Sequence, residues 1–310
     1  MDYAGMIRLG LCCIFRKAPI KFRTTTAKVL MGMPHEDARK KLAGIIESNA
    51  EALAASIEYC SAHGIGAFRI NSGILPVKTH PEAGYKISDI PGGRGLVKAF
   101  RECGELAKEK NIRLLFHPDQ FVILNSSDKD LVKRSVEELR YQAEVSEWVR
   151  ADVLNVHGGG VYGEREAALG RLAATIKKLP KSIKSRLTLE NDDRSYRPED
   201  LLPVCRETGV PMIYDVHHHR CLSDKYSEDE AAALAIETWN REPTFHISSP
   251  KNGWKSSDPL PHSDYLDPKD FPASWSKLDV TVEVEAKAKE LAVEKLAAYL
   301  KRKYPGCMDK

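Results

Sequence analysis

Strand-like and helix-like segments alternate along nearly the whole of this 310-residue sequence. Short apolar runs predict eight strands, and longer amphipathic segments between most of them predict helices. Such alternation is typical of a parallel sheet, and eight units in roughly 300 residues fit a closed barrel. The expected strands are Ile7–Cys12, Ala67–Ile70, Ile112–Phe116, Asp152–Val156, Arg186–Leu189, Val210–Tyr214, Thr244–Ile247 and Asp279–Val284.

The fold class predicted from this pattern is α/β, a (β/α)8 TIM barrel formed by a single domain that spans residues 1–310. The segment from Ser248 to Trp275 is rich in Pro, Asp and Ser, so we expect the seventh helix to be reduced to a long loop. An open doubly wound sheet is the alternative. Such a sheet usually carries a glycine-rich phosphate loop after its first strand, whereas Cys12-Cys13-Ile14-Phe15 stands here. We therefore expect no nucleotide cofactor.

The amino-acid composition is typical of a globular protein and argues against a membrane protein or a disulfide-rich one. Hydrophobic residues make up 42% of the chain and charged residues 29%, which is enough apolar material for a large core. We expect no membrane association, because no apolar run approaches the roughly 20 residues that a membrane helix needs. The seven cysteines are scattered without a CxxC pair, which predicts reduced thiols and a cytoplasmic location. A net charge of +3 permits a nucleic-acid partner but does not argue for one.

Metal-binding residue types follow the expected strands one after another. In a TIM barrel the chemistry lies at the carboxyl ends of the strands, so these side chains should meet on one face. His80 and His262 lie in loops after the second and seventh strands and should face the same way. Imidazole and carboxylate together suit Zn, Mn or Fe. The predicted metal ligands are His80, His117, His157, Glu190, Asp215, His218, His246, His262 and Glu285.

The convergence of these residues carries the metal prediction, since a single histidine at a strand end is usually structural. Glu190, Asp215 and Glu285 would repel one another if they met without a cation, which would raise their pKa values or destabilise the fold. A bound metal keeps them charged. Glu283 is a rival to Glu285, because alternation places both on the same side of the last strand.

Eight sequence strings resemble the UV damage endonuclease family in order and spacing. The similarity extends from Met6 to about Leu291. The resemblance implies a TIM barrel related to endonuclease IV. Members of the UV damage endonuclease family use a cluster of divalent ions, typically manganese, to cut DNA. The cut falls on the 5′ side of ultraviolet photoproducts and leaves a 3′-hydroxyl and a 5′-phosphate. The strings are RLGLC, FHPDQF, NVHGGGVYGE, LENDD, DVHHH, HISSPK, HSDY and VEVEAKAKE.

The family's metal ligands match the nine residues given above, and the resemblance implies catalytic roles for Glu190, Glu285, His157 and His246 among them. It also implies that Gln120 and Phe121 enter the duplex at the lesion, with Leu11 as a second probe.

Four positions depart from relatives of the family. Phe121 stands where some have Tyr, Leu11 where some have Tyr, and Phe15 where Asn is common. A site lysine of the family is replaced by Thr244. These departures leave the metal ligands intact and affect the range of lesions.

The sequence thus predicts a DNA repair endonuclease with two or three divalent ions, Mn²⁺ first and Zn²⁺, Mg²⁺ or Co²⁺ as alternatives. Its partner would be damaged double-stranded DNA, bound by a monomer that associates with the nucleoid if the source is prokaryotic. Abasic sites are a further possible substrate. The alternative function is a metal-dependent sugar isomerase or epimerase of the xylose-isomerase-like barrel type. A lesion-binding module without incision is a third alternative.

Overall fold

A computed structural model describes residues 5–308 and shows eight parallel strands that close a barrel in sequence order. The first and last strands pair, with Ile7 opposite Val280, so the sheet has no free edge. The predicted TIM barrel is confirmed. The strands are β1 Ile7–Cys12, β2 Ala67–Ile70, β3 Arg113–Phe116, β4 Val153–His157, β5 Leu187–Glu190, β6 Met212–Asp215, β7 Thr244–Ile247 and β8 Val280–Val284.

Helices surround the barrel and connect successive strands. The helices are α1 Ala27–Met31, α2 His35–Ala62, α3 Gly93–Glu109, α4 Lys129–Val149, α5 Arg165–Lys178, α6 Lys181–Lys184, α7 Pro198–Thr208, α8 Val216–Cys221, α9 Glu228–Ile236 and α10 Glu290–Lys303. Ordinary local signals set their ends. Asp128 begins α4 by accepting hydrogen bonds from the amides of Asp130 and Leu131. Gly209 ends α7 at φ +70°, a conformation that glycine adopts without strain.

Apolar side chains form two layers on opposite faces of the strands. A large layer fills the space between the strands and the helices, and a small cluster of Ala67, Leu115, Val153 and Ile213 fills the barrel interior. Leu11 belongs to the outer layer and is fully buried. The expectation that Leu11 contacts a DNA lesion is therefore wrong, because strand alternation turns its side chain toward the helices.

The seventh helix is reduced to a long loop, as the sequence predicts. The chain between β7 and β8 contains only two short 3₁₀ turns, Pro268–Asp270 and Ala273–Lys277. Fully buried Trp275 anchors the loop. The Asp270 carboxylate also accepts a hydrogen bond from Trp254 Nε1 at 2.8 Å. These contacts give the loop a fixed path over the carboxyl end of the barrel.

No helix within residues 5–308 combines the length and the apolar character needed to cross a membrane.

Candidate metal centre

The inward-facing residues at the carboxyl ends of six strands form one polar cluster. Strand pairing sets His157 beside Glu190, and Asp215 beside His246. His117 and His157 line an open cavity of about 950 Å³, and the fully buried Glu190 and His246 lie within hydrogen-bond distance of this pair or of each other. Alternate residues of each strand face the barrel interior. They are apolar in the middle of the barrel and polar here, at the carboxyl ends of the strands.

Glu190 is the centre of the cluster and is fully buried. His117 Nε2 lies 3.0 Å from its Oε2, and His246 Nδ1 lies 3.0 Å from its Oε1. His157 Nε2 lies 3.8 Å from Oε2 and His218 Nδ1 lies 3.4 Å from Oε1. The Asn155 side-chain amide also donates to Oε2. One carboxylate thus gathers four imidazole rings from four elements.

The charges within this cluster depend on one another. Burial alone would raise the pKa of Glu190, but His246 and His157 and the hydrogen bonds from His117 and His218 hold it well below its usual range. Burial lowers the pKa of His246, whereas the Glu190 and Glu283 carboxylates raise it to about 10. Without a metal, therefore, protons on histidine balance the carboxylates. A divalent cation would displace such protons on binding.

Asp215 and His218 form a second part of the cluster, set by a helix that begins at the end of β6. Asp215 caps α8 and accepts a hydrogen bond from the His218 amide at 2.8 Å. The Asn191 side chain bonds both backbone groups of Asp215 at 2.9 Å each, and the Asn191 backbone carbonyl lies 2.9 Å from His218 Nδ1. These contacts hold Asp215 and His218 in place before any ligand arrives.

Glu285 forms the third part. Arg69 Nη1 lies 2.7 Å from Glu285 Oε1, and His246 Nδ1 lies 3.4 Å from the same atom. The loop after β7 returns His262 to the cavity through an antiparallel bridge with Pro250, and His262 Nδ1 lies 3.7 Å from Glu285 Oε2. Burial would raise the pKa of Glu285, but Arg69 and His246 hold it well below its usual range.

This donor set fits divalent ions. In each of three overlapping groups, the ligand atoms lie within 4.8 Å of one another. Asp215 Oδ2 and His157 Nδ1 are buried and lack a hydrogen-bond partner among the described residues, so they remain free to bind something else. The groups are His117 with His157 and Glu190, His117 with His246 and Glu285, and Glu190 with Asp215 and His218.

His117 gives a further sign that a cation belongs here. Its Nδ1 lies 3.0 Å from the Pro118 carbonyl, which only a ring N–H can satisfy, so Nε2 carries the lone pair in the neutral ring. That Nε2 faces Glu190 Oε2 at 3.0 Å. Two acceptor atoms at this distance need a proton or a metal ion between them.

Arg69 and Glu283 also belong to the site; the sequence analysis considered Glu283 only as a rival to Glu285 and did not find Arg69. Arg69 is buried and donates to Glu283 through Nε at 3.0 Å and Nη2 at 2.9 Å. Glu283 Oε2 also lies 2.8 Å from His246 Nε2. Burial would raise the pKa of Glu283, but Arg69 and His246 lower it to about 2. A charged residue inside the short apolar strand Ala67–Ile70 was the signal that could have found Arg69.

The structure does not bring His80 to the cluster. His80 lies in a separate cleft beside Lys78 and Tyr85, and its Nδ1 accepts from the backbone amides of Glu82 and Ala83 at 3.2 Å each. The other eight predicted ligands all belong to the three groups or line the cavity beside them. The loop after β2 follows its own contacts, which the sequence pattern could not reveal.

The predicted lesion-contacting pair follows His117 in the loop after β3. Gln120 lines the same cavity, and the Phe121 ring is 60% exposed, so it does not belong to the core. Phe15 packs on Phe68 with a centroid distance of 5.9 Å and takes part in the outer core layer. Thr244 lies fully buried and accepts a hydrogen bond from Arg113 Nη1 at 3.0 Å.

Comparison with known proteins adds to this geometry. The sequence profile of a family described as UV-endonuclease UvdE matches residues 7–305. The UV DNA damage endonuclease of Bacillus cereus (strain G9842) is 31% identical over 291 residues, which cover 90% of this chain and 88% of that protein.

Solved structures agree at the level of the fold. The crystal structure of SacUVDE superposes with a TM-score of 0.85 at 27% identity, covering 96% of this chain and 98% of that one. Endonuclease IV from Thermus thermophilus superposes with a TM-score of 0.58 at 19% identity, covering 95% of this chain and 99% of that one. The second likeness concerns the barrel alone.

Proposed function

Since the chain belongs to the UV-endonuclease UvdE family, we propose that it is a DNA repair endonuclease that depends on divalent metal ions. It would cut the damaged strand on the 5′ side of ultraviolet photoproducts and leave a 3′-hydroxyl and a 5′-phosphate. The observation that carries the metal dependence is the arrangement of four histidines around the buried Glu190 carboxylate. We also propose that one domain acts as a monomer on double-stranded DNA.

The metal ligands in this proposal are eight of the nine residues predicted from the sequence, without His80. Two or three ions, manganese first, would supply activation of a water molecule and neutralise the attacked phosphate and the leaving oxygen. Glu190 and Glu285 would contribute the negative charge that holds them, and His157 and His246 would each be a ligand in one of the groups, which share His117 and Glu190. The ligands are His117, His157, Glu190, Asp215, His218, His246, His262 and Glu285.

The protein's own residues set the geometry. Glu283 Oε2 and Arg69 Nη2 lie 2.8 and 3.0 Å from His246 Nε2, and these contacts orient the ring so that Nδ1 faces Glu190 and Glu285. Arg69 restrains Glu283 and Glu285 together. The ligands are therefore positioned before DNA binds, so no rearrangement of them is needed at the moment of reaction.

A sugar isomerase or epimerase remains the competing function for a barrel with such a site. Two observations favour the endonuclease. The cavity is open and is lined by Gln120, and the next residue, Phe121, is largely exposed; a small closed sugar pocket needs neither. The eight-residue donor set also exceeds what one ion requires.

The test uses a duplex with one photoproduct at a defined position and the same duplex without it. With Mn²⁺, we expect a single nick on the 5′ side of the photoproduct, with ends that a polymerase extends and a phosphatase trims. The undamaged duplex should stay intact. Equal cutting of both duplexes would contradict the proposed function, and so would a failure to cut either duplex with any divalent metal.

Phe121 tests lesion recognition. A photoproduct weakens stacking, so the protein needs only to hold the opened duplex, and an exposed ring four residues after His117 could stack on a base. We expect Phe121→Ala to weaken binding to irradiated duplex roughly 10–100-fold, as the loss of one stacked base would. Metal content and thermal stability should not change, because the ring is mostly exposed.

The matched variant Phe121→Tyr keeps the ring and should bind like the parent protein. Fluorescence anisotropy with labelled irradiated and undamaged duplexes measures both variants. Parent-like affinity of Phe121→Ala for irradiated DNA would exclude the ring as the lesion contact.

A further inference from the structure

Lys289 has a backbone conformation that side chains rarely adopt. Its φ is +55° and its ψ is −124°, and it immediately precedes the first residue of α10. Glycine populates this region easily, whereas a residue with a Cβ is strained there. A lysine at such a position needs an explanation, because a glycine would satisfy the turn between β8 and α10 with less strain.

The surrounding contacts hold this strained turn in place. The Lys287 amide donates to the Ser263 carbonyl at 3.0 Å, and the Ala288 amide donates to the Asp264 carbonyl at 2.9 Å. Ala286 and Ala288 are both buried. Strain of this kind persists only where neighbouring contacts fix the conformation, and it is concentrated at functional sites.

The residue after Lys289 is fixed as firmly. Glu290 is fully buried, and its carboxylate accepts hydrogen bonds from the amides of Arg16, Lys17 and Ala18 at 2.7, 2.6 and 3.1 Å. The start of α10 is therefore tied to the loop after β1, and the turn before it is tied to the segment that follows His262. Lys289 stands between these two anchors, so its Cα has little freedom to move.

The strained position directs the lysine to the metal cavity. Lys289 is half-buried and lines the cavity together with Glu285, His117 and His262. Within residues 5–308 no carboxylate oxygen lies within 4.0 Å of its ammonium. An unpaired, partly desolvated ammonium beside a site for phosphodiester cleavage is available to an incoming anion.

The other cationic side chains of the cavity are differently placed. Arg69 is neutralised by Glu283 and Glu285. The Arg194 side chain is 76% exposed and lies 3.9 Å from Asp193. Lys287 is exposed to solvent. Lys289 therefore remains as the half-buried cation of the cavity whose charge no described side chain balances.

We propose that Lys289 contacts a backbone phosphate of the damaged strand at the metal cavity, and that the strained turn is kept because it places the ammonium there. The inference rests on the proposed function and names a DNA contact for it. Lysine suits this role, because it meets phosphate as a compact point charge with rotatable donors.

The experiment compares Lys289→Gly and Lys289→Arg with the parent protein. Glycine relieves the strain and removes the charge, so Lys289→Gly should be at least as thermally stable as the parent and bind as much metal. We expect it to bind irradiated duplex about 10-fold more weakly, and the slope of log affinity against log salt should fall by about 1. Lys289→Arg should keep the parent's salt slope.

Arg150→Gly is the matched control. Arg150 also has a positive φ, of +60°, and also carries one positive charge, but it lies between α4 and the start of β4, at the opposite end of the barrel. Its replacement by glycine should leave DNA affinity and the salt slope unchanged.

Parent-like affinity and salt slope in Lys289→Gly would overturn the phosphate contact. A fall in thermal stability of Lys289→Gly would overturn the explanation of the strain and assign the lysine a structural role. Failure of the parent itself to nick irradiated DNA with Mn²⁺ would count against the proposed function. If the parent nicks irradiated DNA but Lys289→Gly binds it like the parent, only the phosphate contact of Lys289 is overturned.

Discussion

Glu190→Gln should abolish incision of irradiated DNA. Glutamine keeps the shape and volume of the side chain, but it removes the negative charge around which four histidines gather. Loss of an outer-sphere partner of a metal site costs about 10–100-fold in affinity or activity, so loss of a direct anionic ligand shared by two groups should exceed about 100-fold. Nicking of irradiated plasmid measures the loss of incision, and metal content per protein measures the loss of metal affinity.

Glu242→Gln provides the matched control. Glu242 is a carboxylate at the opposite end of the barrel, where its Oε1 accepts from Arg8 Nε at 2.9 Å. Its neutralisation should leave incision and metal content close to those of the parent. Far-UV circular dichroism confirms that both variants are folded. Near-normal incision by folded Glu190→Gln would exclude Glu190 as a metal ligand.

Much of the barrel could be predicted from the sequence because each strand combines a short apolar run with flanking turns. The bounds of β1, β2 and β7 agree with the predicted segments residue for residue. The ligand positions followed from the same reasoning, since strand ends in a barrel must meet on one face. The sequence analysis did not predict helix α8, because its six residues directly after Asp215 are too few to show a helical pattern of apolar positions.

Alternation along the strands contained more information than the sequence analysis extracted from it. Arg69 lies two residues after inward-facing Ala67, so it was predictable as an interior residue by the same rule that placed Glu283 on the side of Glu285. The same rule turns Leu11 outward, against the role that the family resemblance implied for it. Where motif and alternation disagreed, alternation described the side chain correctly.

The position of His80 could not be derived in this way, because it depends on a loop rather than on a strand. The Asn49 side chain binds the Ile74 carbonyl at 2.8 Å, and the Tyr141 hydroxyl contacts the chain at Ser72 and Leu75. These contacts join residues far apart in sequence. They fix the start of the loop that carries His80, and no local pattern encodes them.

Removal of divalent metal should abolish incision as completely as the loss of Glu190. When no ion is bound, protonated histidines and Arg69 balance the buried carboxylates of Glu190 and Glu285, and protons cannot polarise the phosphate as a metal does. The metal-free protein should stay folded, since Arg69 and the histidines still balance the carboxylates. DNA binding should weaken less than incision.

The measurement that tests the metal-dependent repair function most directly is nicking of ultraviolet-irradiated supercoiled plasmid by EDTA-stripped protein, before and after addition of Mn²⁺. Unirradiated plasmid and Glu190→Gln serve as controls. We expect no nicking by the stripped protein, recovery on irradiated plasmid when Mn²⁺ is added, and no recovery in Glu190→Gln. Undiminished nicking of irradiated plasmid by protein shown by elemental analysis to be free of metal would contradict the account.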